Sequence, residues 1–284
     1  MSFSALDIVN SVENTGEYKS YLETIVGQAT LIHGNIEESI PQALIDVYAG
    51  WGGKMNSYIT GHIGIQIDPR LKTCDEIVKQ GLNLVAAMTK KGVTRDRVLI
   101  TIAGTWEGIK AAHKLQEEHR VNCNVNMVFC TEQALAAAQA NCFMITCWVD
   151  PLNKKVEKED SGTKLVSDCF TQMKSLRYPT KVMAGKVNTV DQCKQLCGAD
   201  FFWLSPKMFA ALSKQDANEV TRKLIPPAAL SHPKGEFIPF DVNATDWKTP
   251  LPKVASELLD QSVKLYSSAA NKLESLIRLL MEQE

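Results

Sequence analysis

No stretch of this sequence reaches the roughly 18 consecutive apolar residues of a membrane-spanning helix, and its first ten residues, MSFSALDIVN, hold neither a basic start nor a long apolar run. A membrane span and a secretory leader are therefore not expected, and the expected location is cytoplasmic. An excess of one charge is also missing. The 31 lysines and arginines face 32 aspartates and glutamates, for a formal net charge of −1, with no basic stripe. Nucleic acid is thus not expected as a partner. The densest basic group, Lys154, Lys155 and Lys158, is interleaved with Glu157, Glu159 and Asp160 and reads as a solvated loop. A metal-ligand set is lacking too. Cys193 and Cys197 lie four apart on an expected helix, but no second pair or nearby histidine completes a zinc site, so neither metal nor cofactor is expected. Of the eight cysteines, Cys123, Cys142 and Cys147 fall inside apolar strand-like runs, where a reduced thiol behaves as a small hydrophobe. Internal repeats and low-complexity tracts are absent as well.

What is present is an ordinary globular composition, 284 residues with 45% apolar and 22% charged. Short β-rich runs alternate with helical patterns. Strands are expected at residues 28–34, 62–68, 97–104, 122–129, 142–150, 180–187 and 201–206, with a weaker first candidate at 8–14. Amphipathic helices are expected at 74–92, ending on Gly92, and at 106–119, 131–141 and 189–200. Repeated strand–helix order with near-continuously apolar strands implies a parallel sheet, and eight such units favour a closed barrel, which commonly takes about 250 residues. The expected fold is a single α/β domain over 1–284, a (β/α)8 TIM barrel at about 8–225 followed by a C-terminal segment and a long helix. That helix, 254–284, carries the apolar stripe Leu258, Leu259, Val263, Leu265, Leu273, Ile277 and Leu280. The stretch before it, rich in proline, reads as a helix and then a surface segment.

RVLITIAGTWEGIKAAHKLQEE followed by VNCNVNMVFCTEQALAAA resembles the core of the transaldolase family. Thr105, Trp106, Glu107 and Gly108 match that family's S-T-W-(E/Q)-G turn, and Cys123, Asn124, Phe129, Gln133 and Ala134 match the next strand and helix. Fainter matches are Asn14-Thr15-Gly16-Glu17, Ala29-Thr30, Ile67-Asp68, Arg70-Leu71, Val182-Met183 and Pro206. The resemblance implies an active site at the C-terminal mouth of a barrel. It also implies a lysine on the fourth strand that forms a Schiff base with a ketose phosphate, and carboxylates that move protons.

Aligned in this way, the chain lacks those groups. Thr101 stands at the lysine's position and cannot form an imine. Gln66 and Asn14 stand where the family has glutamate and aspartate, and an amide does not accept a proton near neutral pH. Thr30, His33, Asn124, Asn126, Thr146, Trp148 and Asn188 would line the remaining mouth as substrate-binding groups. The two arginines that grip phosphate in the family align with Pro151 and Asn188, which makes a sugar phosphate an unexpected substrate. One amine is gained. Lys186 in VMAGKVN aligns with a family serine, and its parity with Ala184 and Asn188 would point it inward. A desolvated lysine has a lowered pKa and serves as nucleophile or base; the plain alternative is a lysine reaching solvent from the rim.

Three readings follow for function. The first is an enzyme with altered chemistry on a small, non-phosphorylated carbonyl substrate (aldol-type, cyclisation, dehydration or isomerisation) through Lys186, Gln66, Asn14 and Thr101. The second is an inactive binding or regulatory protein. The third is a transaldolase that transfers dihydroxyacetone between sugar phosphates. The resemblance is compatible with a homodimer or larger homo-oligomer.

Overall fold

A computed structural model describes residues 2–33, 35–158, 160–226, 240–247 and 250–283, with the side chains of 30–33 and 219 excepted. The chain divides into two compact units. One holds Met1–Ile102, Glu118–Asn122 and Val263–Glu284, and the other holds Ala103–Glu117 and Cys123–Ser262.

The first unit begins with β1 (Ser2–Phe3), followed by α1 (Ala5–Asn14), α2 (Gly16–His33) and α3 (Ile36–Asn56). Next come β2 (Ile63–Gln66), α4 (Cys74–Lys90) and β3 (Val98–Ala103). β1 pairs with β2 and β2 with β3, both in parallel. The strands expected at 8–14 and 28–34 give way to helix, which holds residues 8–14 and 28–33. α1 starts on a capping box: the Ser4 hydroxyl accepts from the Asp7 N–H while the Asp7 carboxylate accepts from the Ser4 N–H. Leu22, Ile25, Val26 and Ala29 recur at helical spacing along α2 and are all buried, and this face sets the helix whose last turn contains the β-branched residues. α4 follows expectation. Thr73 and Glu76 form its capping box, and Gly92 beyond its end adopts φ +84°, a left-handed conformation that glycine takes without steric penalty.

The second unit contains α5 (Trp106–Glu117), β4 (Asn122–Val128), α6 (Thr131–Gln139), β5 (Met144–Trp148) and α7 (Val149–Val156). It continues through α8 (Ser161–Ser175), β6 (Lys181–Gly185), α9 (Val190–Gln195), β7 (Phe201–Phe202) and α10 (Pro206–Leu212). β4, β5, β6 and β7 pair in parallel, each with its neighbour in sequence. Lys154 and Lys155 sit on α7, not in a loop, and pair with Asp150 and Glu257. Residues 240–247 dock on α5. The Trp106 indole N–H donates to the Ala244 carbonyl at 2.8 Å, and Trp247 and Phe240 lie 4.9 and 5.3 Å from the Trp106 ring. His232 and residues 227–239 of the proline-rich stretch lie outside the described residues.

The class is α/β, with the element order of TIM-type folds: parallel strands in chain order with helices between them. Seven strands form among the described residues. The long C-terminal helix α11 (Lys253–Met281) buries Leu258, Leu259, Tyr266, Ala270, Leu273 and Ile277, whereas Leu265, expected in the stripe, is 54% exposed. No helix among the described residues is long and apolar enough to cross a membrane.

All eight cysteines are free thiols, and all but Cys197 are buried. Burial raises the Cys123 and Cys142 thiols and pushes Cys130 up to about 12 and Cys193 to about 11. A hydrogen bond with Cys147, then burial, raises Cys169. Iodoacetamide near neutral pH is therefore expected to label native protein at Cys197, with the seven buried thiols slower by at least about tenfold as read by peptide mass spectrometry.

Candidate functional site

In α/β folds of this order, chemistry gathers where the parallel strands end. In the first unit, β2 ends on Gln66, 4% exposed, whose register partner on β3 is Thr101, 1% exposed. The Ile67 N–H donates to the Thr101 carbonyl at 2.8 Å and carries the ladder one residue further. The amide and the hydroxyl expected at the mouth are thus buried neighbours, Gln66 at the end of β2 and Thr101 within β3. Beyond them lies a charged network that sequence reasoning did not single out. The Asp68 carboxylate accepts from Arg70 Nε at 3.0 Å and from its second terminal nitrogen at 2.6 Å. The same guanidinium donates to Glu274 at 2.6 Å and to Asn271 at 2.8 Å on α11. This planar fork fixes the chain after β2 to the C-terminal helix. Arg70→Met removes the cation between a buried and a half-buried carboxylate and is expected to lower stability by about 2–3 kcal/mol in urea titrations.

The other candidates of the first unit do not reach a strand end. Asn14 is the last residue of α1, exposed, and its side-chain N–H donates to the Asn10 carbonyl at 2.6 Å. Thr30 and His33 fall in the last turn of α2, and their side chains lie outside the described residues. An alignment that treats these residues as strand positions is off because the local sequence forms helices.

The second unit brings several candidates together. β4 carries one extra residue. Asn124 pairs with Met144 and Val125 with Ile145, but Val128 pairs with Cys147, so a bulge falls at Asn126–Met127, and Met127 takes φ +61°. Gln133, 0% exposed, braces the bulge. Its side-chain oxygen accepts from the Phe129 N–H at 2.8 Å, and its nitrogen donates to the carbonyls of Gly104 at 2.8 Å and Met127 at 3.3 Å. The Asn126 carbonyl accepts from the Gly104 N–H at 2.7 Å. On β5, Cys147 faces α8 through its bond with Cys169, so Thr146 and Trp148 face the other way. There the Thr146 hydroxyl donates to Asn124 Oδ1 at 2.8 Å, and the Trp148 indole N–H donates to Asn126 Oδ1 at 2.8 Å.

Lys186 reaches this wall by a route its sequence parity does not give. In the ladder, Met183 stands beside Thr146 and Gly185 beside Trp148, so Met183 and Gly185 share the wall's face while Ala184 does not. Immediately after the strand, Lys186 adopts φ +54°, which breaks the alternation and swings the side chain back. Its Nζ lies 5.2 Å from the Trp148 ring centre and 4.4 Å from that of Trp203. Gly185 makes room for this arrangement. A Cβ there would meet Thr146 Cγ2 at 2.7 Å, Trp148 Cδ1 at 3.3 Å and Trp203 Cε3 at 3.4 Å. Lys186 is half-buried, and its carbonyl accepts from the Asp150 N–H at 3.2 Å.

Asn188 is not part of the wall. It is exposed, and its N–H donates to Gln192 Oε1 at the capping box of α9. Pro151 sits in the first turn of α7. The residue that sequence reasoning missed is Trp203, whose N–H bonds the Ala184 carbonyl at 2.9 Å and extends β7 by one step. Its signal was an aromatic at the tip of FFWLSP, on the same parity as Phe201.

Comparison with known proteins matches residues 8–277 to the family described as Transaldolase/Fructose-6-phosphate aldolase. The chain is 29% identical over 271 residues to a transaldolase of Sus scrofa, covering 92% of this chain and 80% of that protein. It is 28% identical over 286 residues to a probable transaldolase of Drosophila melanogaster, covering 97% and 86%. It is 29% identical over 272 residues to transaldolase A of Salmonella typhimurium, covering 92% and 84%.

Proposed function

Since the chain belongs to the Transaldolase/Fructose-6-phosphate aldolase family, we propose that it is an enzyme of altered carbonyl chemistry in which the amine of Lys186 meets a non-phosphorylated substrate. The observation that carries this reading is the placement of Lys186 Nζ on the indole faces of Trp148 and Trp203 at the end of β6. The position aligned with the family's imine-forming lysine holds a buried threonine, Thr101. A lysine amine adds to a ketone or aldehyde to give a carbinolamine. Loss of water from it leaves an imine that drains electrons from the neighbouring carbon, so a C–H or C–C bond there breaks more easily. The alternative role for the same amine is to remove an acidic proton beside the carbonyl. With Pro151 and Asn188 at the positions aligned with phosphate-gripping arginines, a neutral or singly charged substrate is favoured over a sugar phosphate.

The test is borohydride reduction with 4-formylbenzoate or hydroxyacetone, followed by peptide mapping. A reduced adduct on Lys186 is the expected result, and a protein that reacts at no site, or only at surface lysines, would remove the imine route. A binding protein without turnover is favoured by one observation: Asn124 bonds Thr146 and Asn126 bonds Trp148, so these polar groups engage each other. Ligand binding without any adduct would select that reading. Normal turnover of fructose 6-phosphate with erythrose 4-phosphate would restore the ordinary family activity.

A further inference from the structure

Parallel strand partners in register point the same way, so the sheet face that carries Thr146 and Trp148 divides into rows across β5, β6 and β7. One row is Thr146, Met183 and Phe201. The next, one step nearer the strand ends, is Trp148 and Gly185, with Trp203 added by the bond of its N–H to the Ala184 carbonyl. The opposite face is sealed: Ile145, Cys147, Val182 and Ala184 are all 0% exposed.

The first row opens from one strand to the next. Thr146 is 0% exposed, Met183 is half-buried, and Phe201 is 41% exposed. Met183 lies on β6 with β5 and β7 bonded on either side, so its open surface is not at a sheet edge and belongs to this face. Phe201 points the same way beside it. What the row leaves uncovered is a thioether chain and a phenyl ring, without a charge or a hydrogen-bond donor. The polar groups of the same face engage each other, Thr146 with Asn124 and Trp148 with Asn126. Lys181, the preceding residue of β6 on this face, stands at the start of the strand and bounds the apolar stretch. A hydrocarbon laid over the phenyl ring removes apolar surface from water, and a methionine beside it adapts to chains of different shape. A sugar chain, with a hydroxyl on each carbon, would give up hydration there and regain no hydrogen bond.

We infer that Met183 and Phe201 form an apolar subsite that takes the hydrocarbon chain of a neutral carbonyl compound, about four carbons long, the reach of two strands about 4.8 Å apart. The inference rests on the reading of this face as a substrate site and adds the requirement for a hydrocarbon chain. The floor is the side chains of Met183 and Phe201; neither the indoles nor the Lys186 amine supplies any part of it.

The experiment is a titration with the methyl ketones from acetone to 2-heptanone, read by ligand-observed NMR. In wild type, affinity is expected to rise about threefold for each methylene up to 2-hexanone and then to level off. Phe201→Ser, at an exposed position that tolerates a polar residue, is expected to cut the gain below about 1.5-fold per methylene. Met183→Ser should do the same, whereas Met183→Leu keeps the gain. No chain-length dependence in wild type, a dependence that survives both serine substitutions, or no binding of 2-heptanone at its solubility limit would each overturn the inference. So would self-association of wild type that Phe201→Ser abolishes, since a second copy would then cover the face. An adduct on Lys186 without chain-length dependence overturns the subsite and keeps the imine; chain-length dependence without an adduct does the reverse.

Discussion

Replacing Gln133 with alanine is expected to lower stability by about 4 kcal/mol, measured as a shift of the urea or thermal midpoint. The side chain has no exposed surface, and its two ends serve three backbone groups: the Phe129 N–H and the carbonyls of Gly104 and Met127. The bulge at Asn126–Met127 breaks the β4–β5 register beside Met127 and Phe129. Each buried polar group left without a partner costs about 1–3 kcal/mol, and lost packing adds to that. Gln133→Glu is expected to be about as harmful. A carboxylate keeps the acceptor for Phe129 but loses the donors for the two carbonyls and brings a charge into the interior. A loss below about 1 kcal/mol for the alanine variant would show that water takes over all three bonds. The bulge would then stand without its brace.

The second large effect concerns Lys186, where reactivity and stability are expected to part. Lys186→Met should abolish the borohydride-trapped adduct, a fall of at least about a hundredfold, because no other amine stands on the Trp148–Trp203 faces among the described residues. Lys186→Gly should abolish it equally while leaving stability within about 1 kcal/mol of wild type. Glycine adopts φ near +54° without the steric penalty, which offsets the lost ring contact and the greater freedom of the unfolded chain. Lys186→Val is expected to be the least stable of the three, since a β-branched residue fits that conformation worst. Should Lys186→Gly cost several kcal/mol, the amine is a structural wedge and its functional reading falls.

Much of this architecture was legible in the sequence because particular residues leave one option. VLITIA, flanked by Arg97 and the Gly104–Thr105 turn, is too short and too apolar for a surface helix and forms β3. The Thr73–Glu76 box and Gly92 bracket α4 within a residue or two of expectation. The amino-terminal stretch was misread for a physical reason. QATLIH contains the residues of a strand, but the apolar spacing of Leu22, Ile25, Val26 and Ala29 belongs to a helix already under way, and tertiary packing continues it. The Ser4–Asp7 box was the available signal at α1. In the site, the family resemblance put Asn124, Asn126, Thr146 and Trp148 along the mouth, and the structure bonds Thr146 to Asn124 and Trp148 to Asn126. Alternation fails for Lys186, since a positive φ cannot be read from the residue type, and strict parity would have put Gly185 on the wall and the amine off it. Trp203 was hidden because β7 regularly spans two residues and its next step is a single backbone bond.

Four of the five tryptophans stand in two pairs, Trp106 with Trp247 and Trp148 with Trp203. Indoles this close and steeply inclined couple their excited states, so each pair is expected to add a split component to the native dichroism, beside the contribution of Trp51 packed on Tyr18 and Tyr21. Trp247→Phe silences the couplet of the 240–247 strap, and Trp203→Phe silences the one beside the amine. The molecule thus carries its own optical readout for each region, and a ligand settling on the β6 rim can be followed without attaching a dye.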